Sequence, residues 1–231
     1  MVFTLQEVVQ SIDHTLLNPA ATEKDYRLLC GQAVKRAFKA VCVLPCYVPF
    51  CVQQLQNSPV LVATVVGFPL GANRAKIKVW EAQQAFADGA AEIDVVINIG
   101  ALKDGHFNVV AEELQQLVQV ARAFSERKIV KVIIETGLLT EPEKRKAGEL
   151  AVEAGADFVK TSTGFNGGGA TVEDVRLLAA VCGDQARVKA SGGIRTWEQA
   201  EKLLLAGARR LGTSSGEKIV REYLEAQGSS V

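Results

Sequence analysis

The chain has 231 residues, and its 26 Lys and Arg residues equal its 26 Asp and Glu residues in number. This balance gives no electrostatic case for a nucleic-acid or anionic-membrane partner. Hydrophobic residues make up 48% of the chain, which supplies a core and argues against disorder. The apolar stretches are far shorter than the roughly 20 residues of a membrane span, and no basic and apolar leader opens the chain. We therefore expect a cytoplasmic protein.

The cysteines and histidines indicate neither a disulfide framework nor a metal centre. The five cysteines are odd in number and lack CxxC spacing, which is typical of reduced thiols. They are Cys30, Cys42, Cys46, Cys51 and Cys182. The two histidines are too few and too far apart to suggest metal binding. We expect no metal and no cofactor.

Capping signals and apolar runs predict a repeated alternation of strands and helices. Thr4 with Glu7 forms a capping box that opens a short helix over residues 4–10. The strands are expected at residues 11–15, 40–44, 61–67, 92–98, 130–135, 156–162, 187–191 and 209–213. The helices that follow them are expected at residues 22–36, 48–56, 74–88, 108–126, 142–154, 172–181, 197–206 and 215–226.

This alternation predicts a parallel sheet closed into a barrel. Residues near successive strand ends are separated by 29, 25, 27, 41, 25, 29 and 24 residues, so that all intervals but one match a single βα unit. We expect an α/β fold, a single-domain (β/α)₈ TIM barrel over residues 1–231, with the short N-terminal helix and a flexible tail at 227–231. An open doubly wound sheet is the alternative. However, no GxGxxG follows the first strand, and Gly167-Gly168-Gly169 indicates a flexible loop.

Lys160 places an amine inside an otherwise apolar predicted strand bounded by Gly155 and Gly164. Desolvation lowers the pKa of a buried lysine and can leave a neutral, nucleophilic amine. Lys160 is thus either a Schiff-base lysine or a lysine whose ammonium reaches the rim. Lys189 lies on the next strand, and neighbouring strands run roughly 4.8 Å apart, so that one of the two lysines should lose its proton easily. Among the basic residues, we expect Lys160 alone to combine an apolar strand, a neighbouring ammonium and a lumenal position.

Asp94 is a carboxylate within the apolar predicted strand 92–98. Strand alternation places Asp94, Val96 and Asn98 on one face, which we assign to the barrel lumen. There Asp94 can meet Lys160 or Lys189, as a buried carboxylate needs a cationic or hydrogen-bonded partner. The alternative is a purely structural ion pair.

Glycine-rich loops after the last two strands are typical of phosphate binding. Residues 191–195 (Ser-Gly-Gly-Ile-Arg) precede a capping box of Thr196 and Gln199, and residues 212–216 (Gly-Thr-Ser-Ser-Gly) open the last helix. Barrels often bind phosphate here through glycine amides and a helix N-terminus. A tight turn is the alternative for each glycine pair taken singly.

The order and spacing of seven motifs resemble those of the deoxyribose-phosphate aldolase family over nearly the whole chain. The motifs are Ile12-Asp13-His14-Thr15-Leu16-Leu17, Val41-Cys42-Val43, Val66-Gly67-Phe68-Pro69-Leu70-Gly71, Glu92-Ile93-Asp94-Val95-Val96-Ile97-Asn98, Lys160-Thr161-Ser162-Thr163-Gly164-Phe165, Lys189-Ala190-Ser191-Gly192-Gly193-Ile194-Arg195 and Gly212-Thr213-Ser214-Ser215. The resemblance implies a (β/α)₈ barrel that reversibly cleaves 2-deoxy-D-ribose 5-phosphate to D-glyceraldehyde 3-phosphate and acetaldehyde without a metal. It also implies sugar-phosphate and aldehyde partners and a homodimer or homotetramer.

By resemblance, Lys160 forms the Schiff base, Lys189 lowers its pKa, and Asp94 with Lys189 relays protons. The substrate-binding residues that the resemblance implies are Asp13, Thr15, Cys42, Thr163, Gly164, Gly192, Gly193, Arg195, Gly212, Ser214 and Ser215. Cys42 has a supporting role at most, because a thiol also packs well in a core. The chain departs from the family at Phe165, where members often carry lysine. Arg195 is then the nearest basic candidate, which puts strong dependence on the 5-phosphate in question.

Two other functions fit the same residues. One is a lysine-dependent aldolase or transaldolase acting on a different aldehyde or sugar phosphate. The other is a catalytically silent phosphate-binding barrel in which Lys160, Lys189 and Asp94 form a buried charge network supporting an oligomer. Turnover of deoxyribose phosphate compared with other sugar phosphates separates these possibilities.

Overall fold

The computed structural model describes residues 3–125 and 127–228 and shows a closed barrel of eight parallel strands. Each strand pairs with the next, and the last pairs with the first. The strands are β1 (Ile12–Leu16), β2 (Ala40–Val43), β3 (Leu61–Val66), β4 (Glu92–Val96), β5 (Ile129–Ile133), β6 (Phe158–Lys160), β7 (Arg187–Ser191) and β8 (Ala208–Thr213). The predicted (β/α)₈ barrel is confirmed.

Helices alternate with the strands around the barrel. They are α1 (Leu5–Ser11), α2 (Glu23–Arg36), α3 (Val48–Leu55), α4 (Ala75–Ala87), α5 (Ile99–Lys103), α6 (Phe107–Phe124), α7 (Glu141–Glu153), α8 (Val172–Cys182), α9 (Trp197–Leu205) and α10 (Gly216–Ala226). Two 3₁₀ turns lie at Pro45–Tyr47 and Thr136–Leu138. The two predicted capping boxes, at Thr4 and Thr196, are present, and Thr22 forms another with Asp25.

Two of the predicted strands are shorter in the structure than expected. The strand expected over 92–98 ends at Val96, because the Asn98 side chain accepts a hydrogen bond from the Ala101 amide and caps α5, a helix that the sequence pattern did not predict. This added helix explains the long 41-residue interval. The strand expected over 156–162 is only Phe158–Lys160. The last three residues of the expected flexible tail and Glu126 lie outside the described residues.

The two faces of the sheet bury different kinds of side chain. Side chains alternate along each strand, so Ile93 and Val95 join the main apolar core, whereas Asp94 points into the lumen. The lumen itself is divided. Its β2 and β3 side is apolar, with Cys42, Ala63 and Val65 in a separate small cluster. The remaining strands fill the lumen with charged side chains, so that the barrel interior contains one apolar wall and one ionic wall.

Two further features of the described residues concern the helices and the cysteines. Across residues 3–125 and 127–228, none of the helices has the length and apolar character that a bilayer-spanning segment requires. None of the five cysteines, all of which lie in the described part of the chain, forms a disulfide.

Candidate active site

Lys160 and Lys189 lie side by side at the centre of the lumen and share one carboxylate. β6 and β7 pair so that the two lysines are directly opposite in register. Lys160 Nζ donates to Asp94 Oδ2 at 2.8 Å, and Lys189 Nζ donates to the same oxygen at 2.6 Å. Lys160 is 3% exposed, and the other two are fully buried. The sequence predicted that Asp94 meets Lys160 or Lys189, and in the structure it contacts both.

These three side chains belong to a larger buried ionic network. Lys131 on β5 contacts Asp94 Oδ1 at 2.8 Å and Glu92 Oε2 at 2.6 Å. Arg210 on β8 donates from Nη2 to Glu92 Oε2 at 2.9 Å and contacts Asp13. Lys189 Nζ completes the ring by donating to Asp13 Oδ2 at 2.5 Å. All of these charged groups are at most 4% exposed.

The sequence interpretation missed Lys131, Glu92 and Arg210. Strand alternation contained the signal, because Glu92 stands two residues before Asp94 and Lys131 lies in the middle of an apolar strand. The expectation that Lys160 alone combines an apolar strand, a neighbouring ammonium and a lumenal position is wrong. Lys131 and Lys189 share all three features. Another property must therefore distinguish Lys160.

The electrostatics of the network separate Lys160 from the other lysines. Burial, the largest effect, lowers the pKa of Lys160; Asp94 opposes this and Lys189 reinforces it. Burial also disfavours the charged form of Lys189, but the carboxylates of Asp13 and Asp94 outweigh it and raise the pKa of Lys189. The pKa of Lys131 is likewise raised, because Asp94 and Glu92 overcome its burial. Lys160 is thus the lysine of this network whose environment favours the neutral amine.

Access distinguishes Lys160 as well. A cavity of about 460 Å³ opens at the carboxyl ends of the strands, and Lys160 lines it. Lys131 and Lys189 are 0% exposed and are not part of its lining. The other predicted site residues in the lining are Thr15, Thr163, Gly164, Gly192, Gly193, Arg195, Gly212 and Ser214. The cavity therefore brings most of the predicted substrate-binding residues to one amine.

Asp13, Cys42 and Ser215 are not in this lining. Asp13 is fully buried beneath the cavity and pairs with Lys189 and Arg210, which outweigh its burial and lower its pKa to about 2. Cys42 is fully buried in the apolar wall, where burial raises the pKa of its thiol. Ser215 precedes α10 and donates its amide to Thr213 Oγ1 at 2.9 Å. Direct substrate contact by these three residues stays a prediction.

The loops after β7 and β8 form the end of the cavity that suits an anion. Gly192 adopts a positive φ of 89°, and a Cβ there would lie 3.0 Å from Gly169 Cα. A Cβ on Gly212 would lie 2.9 Å from Ser191 Cβ and 3.2 Å from Lys189 Cε. Glycine is therefore needed for close packing at both positions. α10 begins just beyond Ser214, which directs the positive end of its dipole to this region.

The glycine run at 167–169 packs against the β7 loop. The Ala170 amide donates to the Gly192 carbonyl at 3.1 Å, and a Cβ on Gly169 would lie 2.6 Å from that carbonyl oxygen. The run was expected to be a flexible loop. Its flexibility stays a prediction, while Gly168 and Gly169 allow backbone segments to approach closely beside the cavity.

Glu135, the last residue of the strand expected over 130–135, anchors the loop after β6. Its backbone lies in the left-handed region at φ 58°, which is uncommon for a residue with a side chain. Its carboxylate accepts from the Thr163 amide at 3.2 Å, from the Thr163 hydroxyl, and from Asn166 Nδ2 at 2.9 Å. Glu135 therefore holds the cavity-lining Thr163 and the loop that carries Gly164.

Phe165, the point of departure from the family pattern, contributes an apolar edge to the cavity. Its ring is 51% exposed and packs edge-on against Phe68, with ring centroids 5.2 Å apart. Lys160 and Arg195 are the basic side chains of the cavity lining within the described residues. Arg195 is exposed and lines the cavity beside the loop after β7.

In the described part of the chain, no three His, Cys, Asp or Glu side chains cluster as a metal site would require. The amine of Lys160 lies at the cavity, and beside it are the second amine, that of Lys189, and the Asp94 carboxylate that both contact.

Comparison with known proteins matches this geometry to a family. The model of the DeoC/LacD family aldolases matches residues 7–222. The deoxyribose-phosphate aldolase of Caldicellulosiruptor saccharolyticus is 53% identical over 219 residues, covering 95% of this chain and 99% of the relative. That of Carboxydothermus hydrogenoformans is 55% identical over 221 residues, covering 96% and 97%.

A solved structure agrees with the sequence relatives. The deoxyribose phosphate aldolase of Aeropyrum pernix, described as having a unique tetrameric structure, superposes with a TM-score of 0.90 at 33% identity, covering 96% of this chain and 93% of that one. The matched family model spans all eight strands, including those that carry Lys160, Lys189 and Asp94. The chain belongs to the DeoC/LacD family of aldolases.

Proposed function

We propose that Lys160 is the Schiff-base lysine of a deoxyribose-phosphate aldolase. The protein is a lyase that reversibly cleaves 2-deoxy-D-ribose 5-phosphate to D-glyceraldehyde 3-phosphate and acetaldehyde. The observation that carries the role of Lys160 is its position: it combines a lowered pKa with a place in the wall of the cavity. A neutral amine that a sugar can reach is what addition to a carbonyl requires.

The reaction follows from the position of the amine. Lys160 Nζ adds to the C1 aldehyde of the open-chain sugar, and loss of water from the carbinolamine gives an iminium. Removal of the proton from the C3 hydroxyl then breaks the C2–C3 bond and releases glyceraldehyde 3-phosphate. The bonding electrons pass to C2 and form an enamine. Protonation at C2 and hydrolysis of the iminium release acetaldehyde and restore Lys160.

Lys189 and Asp94 supply the proton transfers in this proposal. Opposing carboxylates keep Lys189 protonated, so an ammonium is available to protonate the carbinolamine oxygen as that oxygen leaves and becomes more basic. Burial opposes ionisation of Asp94, but Lys131, Lys160 and Lys189 outweigh it and hold the pKa of Asp94 well below its usual range. The carboxylate accepts a hydrogen bond from Lys160 Nζ and so orients the amine and its lone pair.

The 5-phosphate is proposed to lie at the glycine-rich end of the cavity. The support is the presence there of Gly192, Gly193, Gly212 and Ser214, the start of α10, and Arg195. Backbone amides at a helix N-terminus attract phosphate without a lysine. With Phe165 in place of a cation, these amides and Arg195 would provide the electrostatic recognition.

A covalent trap tests the role of Lys160. Incubation with acetaldehyde and borohydride should reduce the iminium to a secondary amine and leave one ethyl group on Lys160, located by peptide mass mapping. Surface lysines should label slowly and diffusely, because most of their amines are protonated at neutral pH. The exposed Lys202, 61% accessible along its side chain, provides the internal control.

The outcome separates the competing functions. Rapid labelling of a single different lysine would move the active site, and the absence of selective labelling would favour the silent barrel. If Lys160 labels but deoxyribose phosphate is turned over no better than other sugar phosphates, the aldolase acts on a different substrate.

We also propose a homodimer or homotetramer in the cytoplasm. The tetrameric Aeropyrum pernix relative supports self-association, as do large apolar side chains such as Trp80, which is 62% exposed. The five free cysteines are compatible with a reducing compartment. Light scattering would measure the oligomeric state directly.

A further inference from the structure

The buried network contains one more cation than anion if every group is ionised. The cations are Lys131, Lys160, Lys189 and Arg210, and the anions are Asp13, Glu92 and Asp94. Four positive and three negative charges, on residues that are at most 4% exposed, leave an excess of one. Burying an uncompensated charge is unfavourable, and the network is balanced when one cation gives up its proton.

The contacts identify which cation that is. Arg210 contacts two carboxylates and retains its proton at any physiological pH. Lys131 lies within 2.8 Å of two carboxylates, Glu92 and Asp94. Lys189 also contacts two, Asp13 and Asp94. Lys160 contacts one, Asp94, whose nearer oxygen it shares with Lys189.

We propose that Lys131 and Arg210, remote from the cavity, set the protonation state of Lys160 by completing the neutralisation of the three carboxylates. They are positioning residues, since they act through Asp94 and Glu92 and are absent from the cavity lining. The inference rests on the proposed function, in which the neutral amine of Lys160 attacks substrate. It goes further by assigning control of that amine to the charge count of the whole lumen.

Every element around Lys160 is included in this count. The titratable or charged side chains facing the lumen are Asp13 on β1, Cys42 on β2, Glu92 and Asp94 on β4, Lys131 on β5, Lys189 on β7 and Arg210 on β8. β3 places apolar residues there. Burial raises the pKa of Cys42 and keeps it neutral. Glu135, just after β5, hydrogen-bonds Thr163 and Asn166, outside the ionic ring.

The test removes charges of opposite sign at one contact. In Lys131→Met the network loses a cation, so Lys160 should hold its proton more tightly. In Glu92→Gln it loses an anion, so Lys160 should release its proton more easily. In the double variant the balance returns. Each shift should be about one pH unit or more, which is about a tenfold change in the neutral fraction of Lys160 on the acid limb.

The readout is the rate of acetaldehyde and cyanoborohydride labelling of Lys160 as a function of pH, mapped by mass spectrometry. The midpoint should move to higher pH in Lys131→Met, to lower pH in Glu92→Gln, and back to the wild-type value in the double variant. Lys202→Met and Glu198→Gln are matched controls, because these residues form an exposed pair on α9 at 2.7 Å. Both controls should retain the wild-type midpoint.

A purely structural network would lower activity in both single variants without opposite shifts, and that result would overturn the inference. Labelling of a different lysine would instead contradict the proposed function. If Lys131→Met does not fold, the comparison of Glu92→Gln with the double variant decides: the double variant must titrate at the higher pH. Removing both members of the 2.6 Å contact leaves neither one unpaired.

Discussion

Two buried lysines on opposite sides of the sheet show what distinguishes a lysine that stabilises the fold from one that can react with a substrate. Lys78 on α4 and Lys160 on β6 are both nearly inaccessible to solvent. In both, burial is the largest influence and lowers the pKa. Lys78 Nζ donates to Glu113 at 2.7 Å and to the Val96 carbonyl at 2.8 Å, between the helices and the outer face of the sheet. Lys160 Nζ donates to Asp94 inside the lumen.

The difference between them lies in the partners and in access. Burial raises the pKa of Glu113 although Lys78 opposes this, so the ionised form of this carboxyl is less favoured than in water. Asp94 contacts three lysines and stays ionised. Lys78 is enclosed at 0% exposure, whereas Lys160 lines a cavity of about 460 Å³. A lowered lysine pKa alone therefore does not identify a nucleophile, because the amine also needs a path to substrate.

The largest effect is expected when Lys160 is replaced by an amino acid that cannot act as a nucleophile. Lys160→Arg should reduce kcat by at least about 10³-fold, a conservative value for loss of a covalent nucleophile. The guanidinium stays protonated and cannot add to a carbonyl. Steady-state cleavage of deoxyribose 5-phosphate measures the loss, and circular dichroism checks the fold. Substantial residual turnover in a folded variant would remove Lys160 from the mechanism.

Lys78→Met should lower the stability of the fold and leave the reactivity of Lys160 unchanged. Breaking a buried pair leaves Glu113 without its cation, and we expect a loss of about 3 kcal/mol in the free energy of unfolding. Urea titration measures this value. Lys78→Met/Glu113→Gln should recover part of the stability, because no buried charge remains unpaired. The folded fraction of both variants should still be labelled at Lys160. Loss of that labelling in a folded variant would show that Lys78 also affects the reactivity of Lys160.

Lys189→Leu tests how far the neighbouring ammonium controls the pKa of Lys160. Removing this ammonium takes away a like charge and leaves more of the Asp94 charge to Lys160, and both changes raise the pKa of Lys160. The amine is then protonated over a wider range, so the acid limb of the kcat/KM profile should move to higher pH. Turnover should fall by about 10²-fold through loss of a proton donor. An unchanged profile would contradict the proposed role of Lys189.

The amino-acid sequence by itself determined the barrel and the centre of its site. The βα periodicity depends on local patterns, namely apolar runs, capping boxes and turn residues, and these predicted all eight strands. Alternation within β4 placed Asp94 in the lumen, and the adjacency of β6 and β7 followed from their order in the chain, whereas their register came from the structure. These features depend on short-range geometry that a linear pattern contains.

Only the tertiary structure decided which lysine is reachable and how the charges are shared. Closure of the barrel brings Arg210 of β8 to Asp13 of β1, residues that are 197 positions apart. It also covers Lys131 and Lys189 while leaving Lys160 in the cavity wall. Whether a buried lysine is neutral depends on the sum of long-range Coulomb interactions and desolvation at its final position. That sum is defined only when all eight strands are in place.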